Sequence, residues 1–331
     1  MKLLETIHLV MNGSTLLSWR LLRLFQGALL NKIFATFLVV ALPWAAMAAD
    51  KPVNAKARAI AKGTRMADFT RDGEPNLAST AALVLDAQTG QTLYAKNSEE
   101  AVPIASITKI MTAMVVLDAK LPLDEALQLS SEDIDTIKNS KSRLPIGAHF
   151  RRDDLIRLAL MASDNRAAAA LGRSFPGGTP AFVDAMNAKA ATLGLTQARF
   201  VDPAGLSPGN VASPQDLGRL VAAASGYPLV REYSTTPSLD VTLPTTGRKL
   251  SFVNTNVMVR SSDWNIGLSK TGYISEAGKC LVLMAMIANQ PVVIVLLDSW
   301  GRLTRVGDAN RIRRWLEKNP GKIATSPLRA G

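Results

Sequence analysis

The sequence predicts an α+β fold: an antiparallel sheet flanked by helices, with an inserted and mostly helical subdomain. Three observations carry this expectation. Apolar runs of strand length occur around residue 81 and recur after residue 240. The stretch between them has helical spacing instead. The chain of 331 residues is 47% hydrophobic and 20% charged, with 22 Gly, 17 Pro and no repeat, which is enough apolar surface for one large domain or two small ones. The expected division is a leader over residues 1–48, a flexible spacer over 49–77, a globular domain over 78–320 and a tail over 321–331.

Each element follows from its own residues. Arg20, Arg23 and Lys32 precede an apolar run over residues 33–42, followed by Pro43 and the small-residue pattern Ala46-Met47-Ala48. That is the plan of a secretory signal peptide cleaved before Ala49. Because 48 residues is long for such a leader, a start at Met11 or a retained anchor stands beside it. The spacer is polar, lacks an apolar period and carries Lys51, Lys56, Arg58 and Lys62. Apolar runs over 81–86 and 92–95 flank Gln88-Thr-Gly-Gln91, a hairpin signal.

Residues 106–119 are apolar at nearly every position except the first turn, which predicts a buried helix with a polar N-terminus. Helical spacing returns over 153–162, 165–172, 179–193 and 214–224, several of these opening on Asp, Thr or Pro. Strand patterns then occupy 240–243, 249–252, 265–271, 280–288 and 292–298. A last helix over 302–319 has Ile312 and Trp315 on one face and Pro320 as its stop.

Composition excludes several chemistries. The single cysteine, Cys280, rules out an intramolecular disulfide, a thiolate zinc site and an iron–sulfur cluster, and it lies in an apolar run as core packing. Of two histidines, His8 belongs to the leader, so a site of several His is excluded and a Ser-His-Asp triad would hang on His149, which reads as a surface loop residue. No metal and no cofactor is expected. Removing the leader takes four of the 38 basic and one of the 27 acidic residues, leaving a net charge of +8. In an exported protein this favours an anionic polymer as partner, with a merely basic soluble surface as the alternative. Aromatics are only 5% of the chain, so no aromatic-studded basic stripe supports nucleic acid, and membrane association is at most peripheral.

Three short motifs carry the chemistry. Ser106-Ile-Thr-Lys109 puts a hydroxyl and an amine on one face at the start of a helix. Ser163-Asp164-Asn165 follows a helical stretch, and Lys270-Thr271-Gly272 lies in a strand pattern. Singly, each has an ordinary explanation: an N-cap and a snorkelling lysine, a helix cap, a strand end with a turn. Their joint occurrence in this order is far more specific.

Together the motifs resemble those of the serine penicillin-recognising peptidases. The likeness extends to Pro103-Ile-Ala-Ser-Ile-Thr-Lys109, Leu158-Ala-Leu-Met-Ala-Ser163, Pro203-Ala-Gly-Leu206 and Trp264-Asn-Ile-Gly-Leu-Ser-Lys-Thr-Gly272, and spans about residues 79–316. It is strongest toward the D-alanyl-D-alanine endopeptidases of the peptidase S11 group. The resemblance implies a β-lactamase/DD-peptidase-like fold with the second motif on the inserted helical subdomain. It also implies periplasmic export, peptidoglycan cross-links as substrate and acylation by β-lactam antibiotics.

The residues themselves support part of this. Backbone N–H groups and the dipole at the helix start suit an attacking alkoxide on Ser106. Lys109, among Ile107, Ile110 and Met111 and near a second cation, is expected to have a lowered pKa and to serve as the base. Lys270 offers positive charge to a substrate carboxylate, Thr271 a hydroxyl, and Gly272 room for the acyl group beside a strand that the substrate can extend. By resemblance alone, Ser163 relays a proton to the departing amine and Asn165 hydrogen-bonds the substrate carbonyl. The same likeness gives the backbone N–H groups of Ser106 and Tyr273 as the oxyanion hole.

Within the family, Arg199-Phe-Val-Asp-Pro-Ala-Gly205 lacks the Glu that class A β-lactamases use to activate the deacylating water. Asn254-Thr255-Asn256 has Thr where carboxypeptidase relatives commonly place an Arg. The first feature points to slow release of bound penicillin and a peptide substrate, and the second favours a D,D-endopeptidase that cuts D-alanyl to meso-diaminopimelyl cross-links. A D-alanyl-D-alanine carboxypeptidase is the first alternative. A β-lactamase or a non-catalytic wall-binding module is the second.

Overall fold

The computed structural model describes residues 66–243 and 246–323; the expected leader, the first part of the spacer and most of the tail lie outside them. The chain opens with the hairpin β1 (Ala81–Asp86) and β2 (Thr92–Lys96), then a short β3 (Val102–Pro103), a 3-10 turn at Ala105–Thr108 and helix α1 (Lys109–Asp118). Short strands β4 (Ala126–Gln128) and β5 (His149–Arg151) pair before α2 (Arg152–Met161), α3 (Asn165–Arg173) and α4 (Gly178–Thr192). A two-residue β6 (Val211–Ala212) pairs with β3 and leads to α5 (Pro214–Ala224) and α6 (Pro228–Ser234). The hairpin β7 (Ser238–Thr242) and β8 (Lys249–Val253) precedes three long strands, β9 (Asn265–Ile274), β10 (Gly278–Ile287) and β11 (Gln290–Ser299). Helices α7 (Thr304–Lys318) and α8 (Pro320–Ile323) finish the described chain.

The main sheet has the order β2-β1-β11-β10-β9 with antiparallel pairing throughout, so its strands come from both ends of the domain as expected. Alternate residues feed two different cores. Leu83, Val282, Val293 and Val295 join the helical elements, whereas Val84, Leu283, Ile294 and Leu296 meet Ile312, Trp315 and Leu316 of α7. With both faces covered, β10 and β11 are apolar at nearly every position rather than alternating. Helix α1 is buried from Lys109 to Val116, the case of a helix apolar all round at the centre of a domain. Its first residue is a fully buried lysine.

Four differences from expectation matter for the site and the body, each with a physical reason. Strand β9 continues through Gly272 to Ile274, because this glycine serves close backbone approach and not a turn. Ser106 sits in the 3-10 turn ahead of the α-helix. Pro320 ends α7 but also starts α8, at the N-terminal position where a missing N–H costs nothing. Residues 66–77, expected as spacer, are part of the folded body: Phe69 bridges Pro75 and packs on the core around Trp315, and Leu77 is buried. His149 is exposed, on β5, and Cys280 is buried within β10.

One buried carboxylate fastens the first strand to the last long helix. Asp308 of α7 accepts from the backbone N–H of Ala78 (3.1 Å) and Ser79 (2.7 Å) and from the Ser79 hydroxyl (2.6 Å), and pairs with Arg311 at 2.9 Å. Replacing it leaves the buried Ser79 N–H and hydroxyl and the half-buried Ala78 N–H without their acceptor, and takes from Arg311 its nearer carboxylate. Asp308→Ala is therefore expected to lose about 3–5 kcal/mol of stability, read as a lowered urea midpoint at unchanged slope.

Candidate active site

The 3-10 turn before α1 is a strained entry. Ala105 has φ of +48°, a conformation costly for a residue with a side chain, and it aims Ser106 out of the buried helix start. Thr108 donates to the Ala105 carbonyl at 2.8 Å and so closes the turn. Lys109 then turns its side chain back toward Ser106. Its Nζ lies 2.9 Å from Ser106 Oγ, 2.6 Å from Asn165 Oδ1 and 2.6 Å from the Ala204 carbonyl oxygen.

Burial pulls the Lys109 amine down to about 8. The carboxylates of Asp202, Asp164 and Asp135 oppose that shift and keep it from falling further. The expected second cation is Lys270, itself driven well below its ordinary value, first by burial and then by Lys109 and Arg305. Of Lys109's three neighbours, two are carbonyl-type oxygens that can only accept. When the amine is neutral, its two hydrogens fit those oxygens and its lone pair is left for the Ser106 hydroxyl.

The second motif is shaped by its middle residue. Asp164 caps α3 by accepting from the Ala167 N–H at 2.9 Å, and it accepts from Ser142 Oγ at 2.7 Å. That cap forces Ser163 to φ of +57°, where its side chain leaves the helix pair. Lys270 Nζ donates to Ser163 Oγ at 2.8 Å and to the Thr271 carbonyl at 2.8 Å. Ser163 is thus tied to the third motif, while Asn165 belongs to the Ser106–Lys109 set. Ser140 holds the other end of Asn165, accepting from its Nδ2 at 2.7 Å.

The third motif lies on β9, which is the edge strand of the main sheet and packs on the 3-10 turn. Any side chain at Gly272 would meet the Ile104 carbonyl at 3.0 Å and the Ser106 nitrogen at 3.1 Å, so the glycine lets the strand lie against the backbone of Ser106. Tyr273 follows at once, with its ring exposed beneath the Lys279 ammonium. Thr271 shares a 2.7 Å hydrogen bond with Thr255, the residue noted in sequence for not being an arginine.

Several contributors have no local signature. Asp202 accepts from the backbone N–H groups of Ala204, Gly205, Leu206 and Ser207 and from Asn210, folding the loop that presents the Ala204 carbonyl to Lys109. An Asp three residues before a Gly signals a turn, but nothing in it shows that the turn faces a lysine. A side chain on Gly205 (φ +75°) would come within 2.0 Å of the Ala105 carbonyl oxygen, so only glycine fits there. Arg305 of α7 donates to the Gly272 (3.3 Å) and Cys280 (3.2 Å) carbonyls, a cation beside Lys270 from far along the chain.

A serine beside a buried amine, a second buried lysine and an open sheet edge define a serine hydrolase of the acyl-enzyme class. The family model of the D-alanyl-D-alanine carboxypeptidases, peptidase S11, matches residues 68–300, and the chain belongs to that family. It is 48% identical over 257 residues to a D-alanyl-D-alanine endopeptidase of Pseudomonas aeruginosa, covering 78% of this chain and 82% of the relative. It is 41% identical over 298 residues to one of Escherichia coli, covering 90% and 91%. Among solved structures, the Streptomyces K15 DD-transpeptidase superposes with a TM-score of 0.68 at 27% identity, over 73% of this chain and 97% of that one.

The charge state of Lys109 gives the site a pH signature. At pH 7 roughly a tenth of a pKa-8 amine is neutral, and the fraction rises to nearly all by pH 9. The second-order rate of acylation by a fluorescent penicillin is expected to climb through a midpoint near 8 and then level off. Lys109→Arg, charged at every pH, is expected to lose about 100- to 10,000-fold and the midpoint with it. A flat profile from pH 6.5 to 9 would remove Lys109 as the base.

Proposed function

We propose that the protein is a serine D,D-endopeptidase that hydrolyses D-alanyl to meso-diaminopimelyl cross-links of peptidoglycan through an acyl-enzyme on Ser106. The observation that carries this is the Lys109 amine, held 2.9 Å from the Ser106 hydroxyl by two acceptor oxygens. Neutral Lys109 takes the hydroxyl proton as Ser106 Oγ attacks the D-alanyl carbonyl carbon. The resulting oxyanion is received by the backbone N–H groups of Ser106 and Tyr273. As the carbon–nitrogen bond breaks, Ser163 passes its proton to the departing amine and takes the one that Lys109 removed from Ser106, which leaves Lys109 neutral again, and Lys270 and Thr271 bind the carboxylate next to that nitrogen. Asn165 holds the peptide carbonyl of the acyl half. Water then attacks the ester, Lys109 accepts its proton, and Ser106 is restored.

The same carbonyl chemistry makes β-lactams acylating agents. Asp202, the acid of the loop corresponding to the lactamase base, has both oxygens engaged by backbone N–H groups and Asn210, so it is not free to activate water. A long-lived penicilloyl adduct is the consequence. Endopeptidase relatives at 48% and 41% identity support the cross-link as substrate, and the carboxypeptidase description of the family supports terminal D-alanine release as the second activity. Residues 1–48 then act as the export leader to the periplasm, where the substrate lies.

Purified protein mixed with cross-linked muropeptide dimers is expected to yield monomers by mass, and Ser106→Ala is expected to yield none and to take no fluorescent penicillin. Loss of a terminal alanine with dimers intact would replace the endopeptidase by the carboxypeptidase. Rapid nitrocefin turnover would replace it by a lactamase.

A further inference from the structure

A cross-link and a terminal D-alanyl-D-alanine present the same acyl half and the same carboxylate on the carbon next to the scissile nitrogen. They differ in what else that carbon carries. In one it is a methyl group; in the other it is a chain leading to a second stem peptide with carboxylates of its own. Lys270 meets only the shared carboxylate, so a preference for cross-links needs a further cation on the departing side.

The structure assigns that part to Lys141 and Arg143, as a subsite for a carboxylate of the departing stem peptide; the inference rests on the endopeptidase reading above. The two cations line the groove that contains Ser163 and Asn165 and continues to Phe252 and Val253 of β8. Asn165, which holds the acyl half, and Ser163, which serves the departing amine in the proposed mechanism, both border this groove, and the path from Ser163 past β8 is taken as the departing side. Among the described residues neither cation is in an ion pair. The Asp164 carboxylate in the same groove accepts from Ala167 and Ser142 and forms no ion pair with either cation.

Arg143 is also pre-organised. Its guanidinium stacks 4.1 Å over the Phe252 ring and donates one N–H to the Ser251 carbonyl at 2.5 Å. Four of the five donors in its planar fork remain for an anion, in the geometry that suits a carboxylate. Lys141 adds a mobile point charge beside it.

The test compares two substrates that share one acyl half: a cross-linked muropeptide dimer and the monomeric pentapeptide muropeptide. Lys141→Ala/Arg143→Ala is expected to raise the KM for the dimer roughly five- to tenfold with kcat nearly unchanged. D-Alanine release from the monomer and fluorescent penicillin labelling should stay within about twofold. Added salt should weaken dimer cleavage by the parent and have little effect on the variant. Arg143→Lys should recover only part of the dimer affinity, since it lacks the fork. Equal losses on dimer and monomer would place the cations on the acyl side and overturn the proposal, as would no loss on either. Parent protein that leaves dimers intact while releasing alanine would overturn the endopeptidase reading itself, and this inference with it.

Discussion

The site depends on a buried amine that has two oxygens too many for its neutral form to ignore. A fully buried lysine at the first residue of α1 is unfavourable as an ammonium and equally poor as an unpartnered amine. The Ala204 carbonyl and Asn165 Oδ1 resolve this by accepting its hydrogens. Once they do, the lone pair has one remaining neighbour, and it is the hydroxyl of Ser106. Helix packing supplies the desolvation, a remote loop supplies one acceptor, and the helical subdomain supplies the other. The proposed base therefore exists only in the assembled fold.

That assembly explains where the backbone is strained. Ala105 and Ser163 both hold left-handed φ values, and both are adjacent to, or part of, the reacting constellation. Neither conformation is locally favourable. Ala105 is kept there by the Thr108 hydrogen bond and by Gly205, whose bare α-carbon packs on the Ala105 carbonyl. Ser163 is kept there by the Asp164 cap on one side and by Lys270 on the other. Gly205 and Gly272 do for the walls what the strained residues do for the side chains: they let two backbones approach the serine from opposite directions.

What the sequence reveals follows the same division. Periodicity located the hairpin at Ala81–Asp86 and Thr92–Lys96, the helix Pro214–Ala224 and the late strands, because these are set by local pattern and burial. It shortened β9 at 271, since a Gly after a Thr reads as a turn unless the neighbouring backbone is known. It placed Ser106 and Lys109 on one face and expected a second cation nearby, but could not say that this cation is Lys270, which arrives from a strand far along the chain. Ser140, Ala204 and Arg305 were invisible because their parts come from contacts across 25, 95 and 33 residues. Asp68 and Phe69 were taken for spacer for the same reason: their partners lie in α7.

The loop around Asp202 shows how structure and chemistry constrain one another. Its carboxylate is the largest opposing charge on Lys109 and so resists the loss of the proton that catalysis needs. The same carboxylate folds residues 202–207 and delivers the Ala204 carbonyl that makes a neutral amine acceptable. A less acidic loop would lower the lysine further but lose the turn that orients it. With its oxygens occupied by backbone N–H groups, this acid also has no capacity left to activate water. In the mechanism proposed above, deacylation then falls to Lys109, which has to wait for the departing group to clear the site. A peptide ester opens that path when its amine diffuses away, whereas an opened β-lactam keeps its leaving group attached and in place.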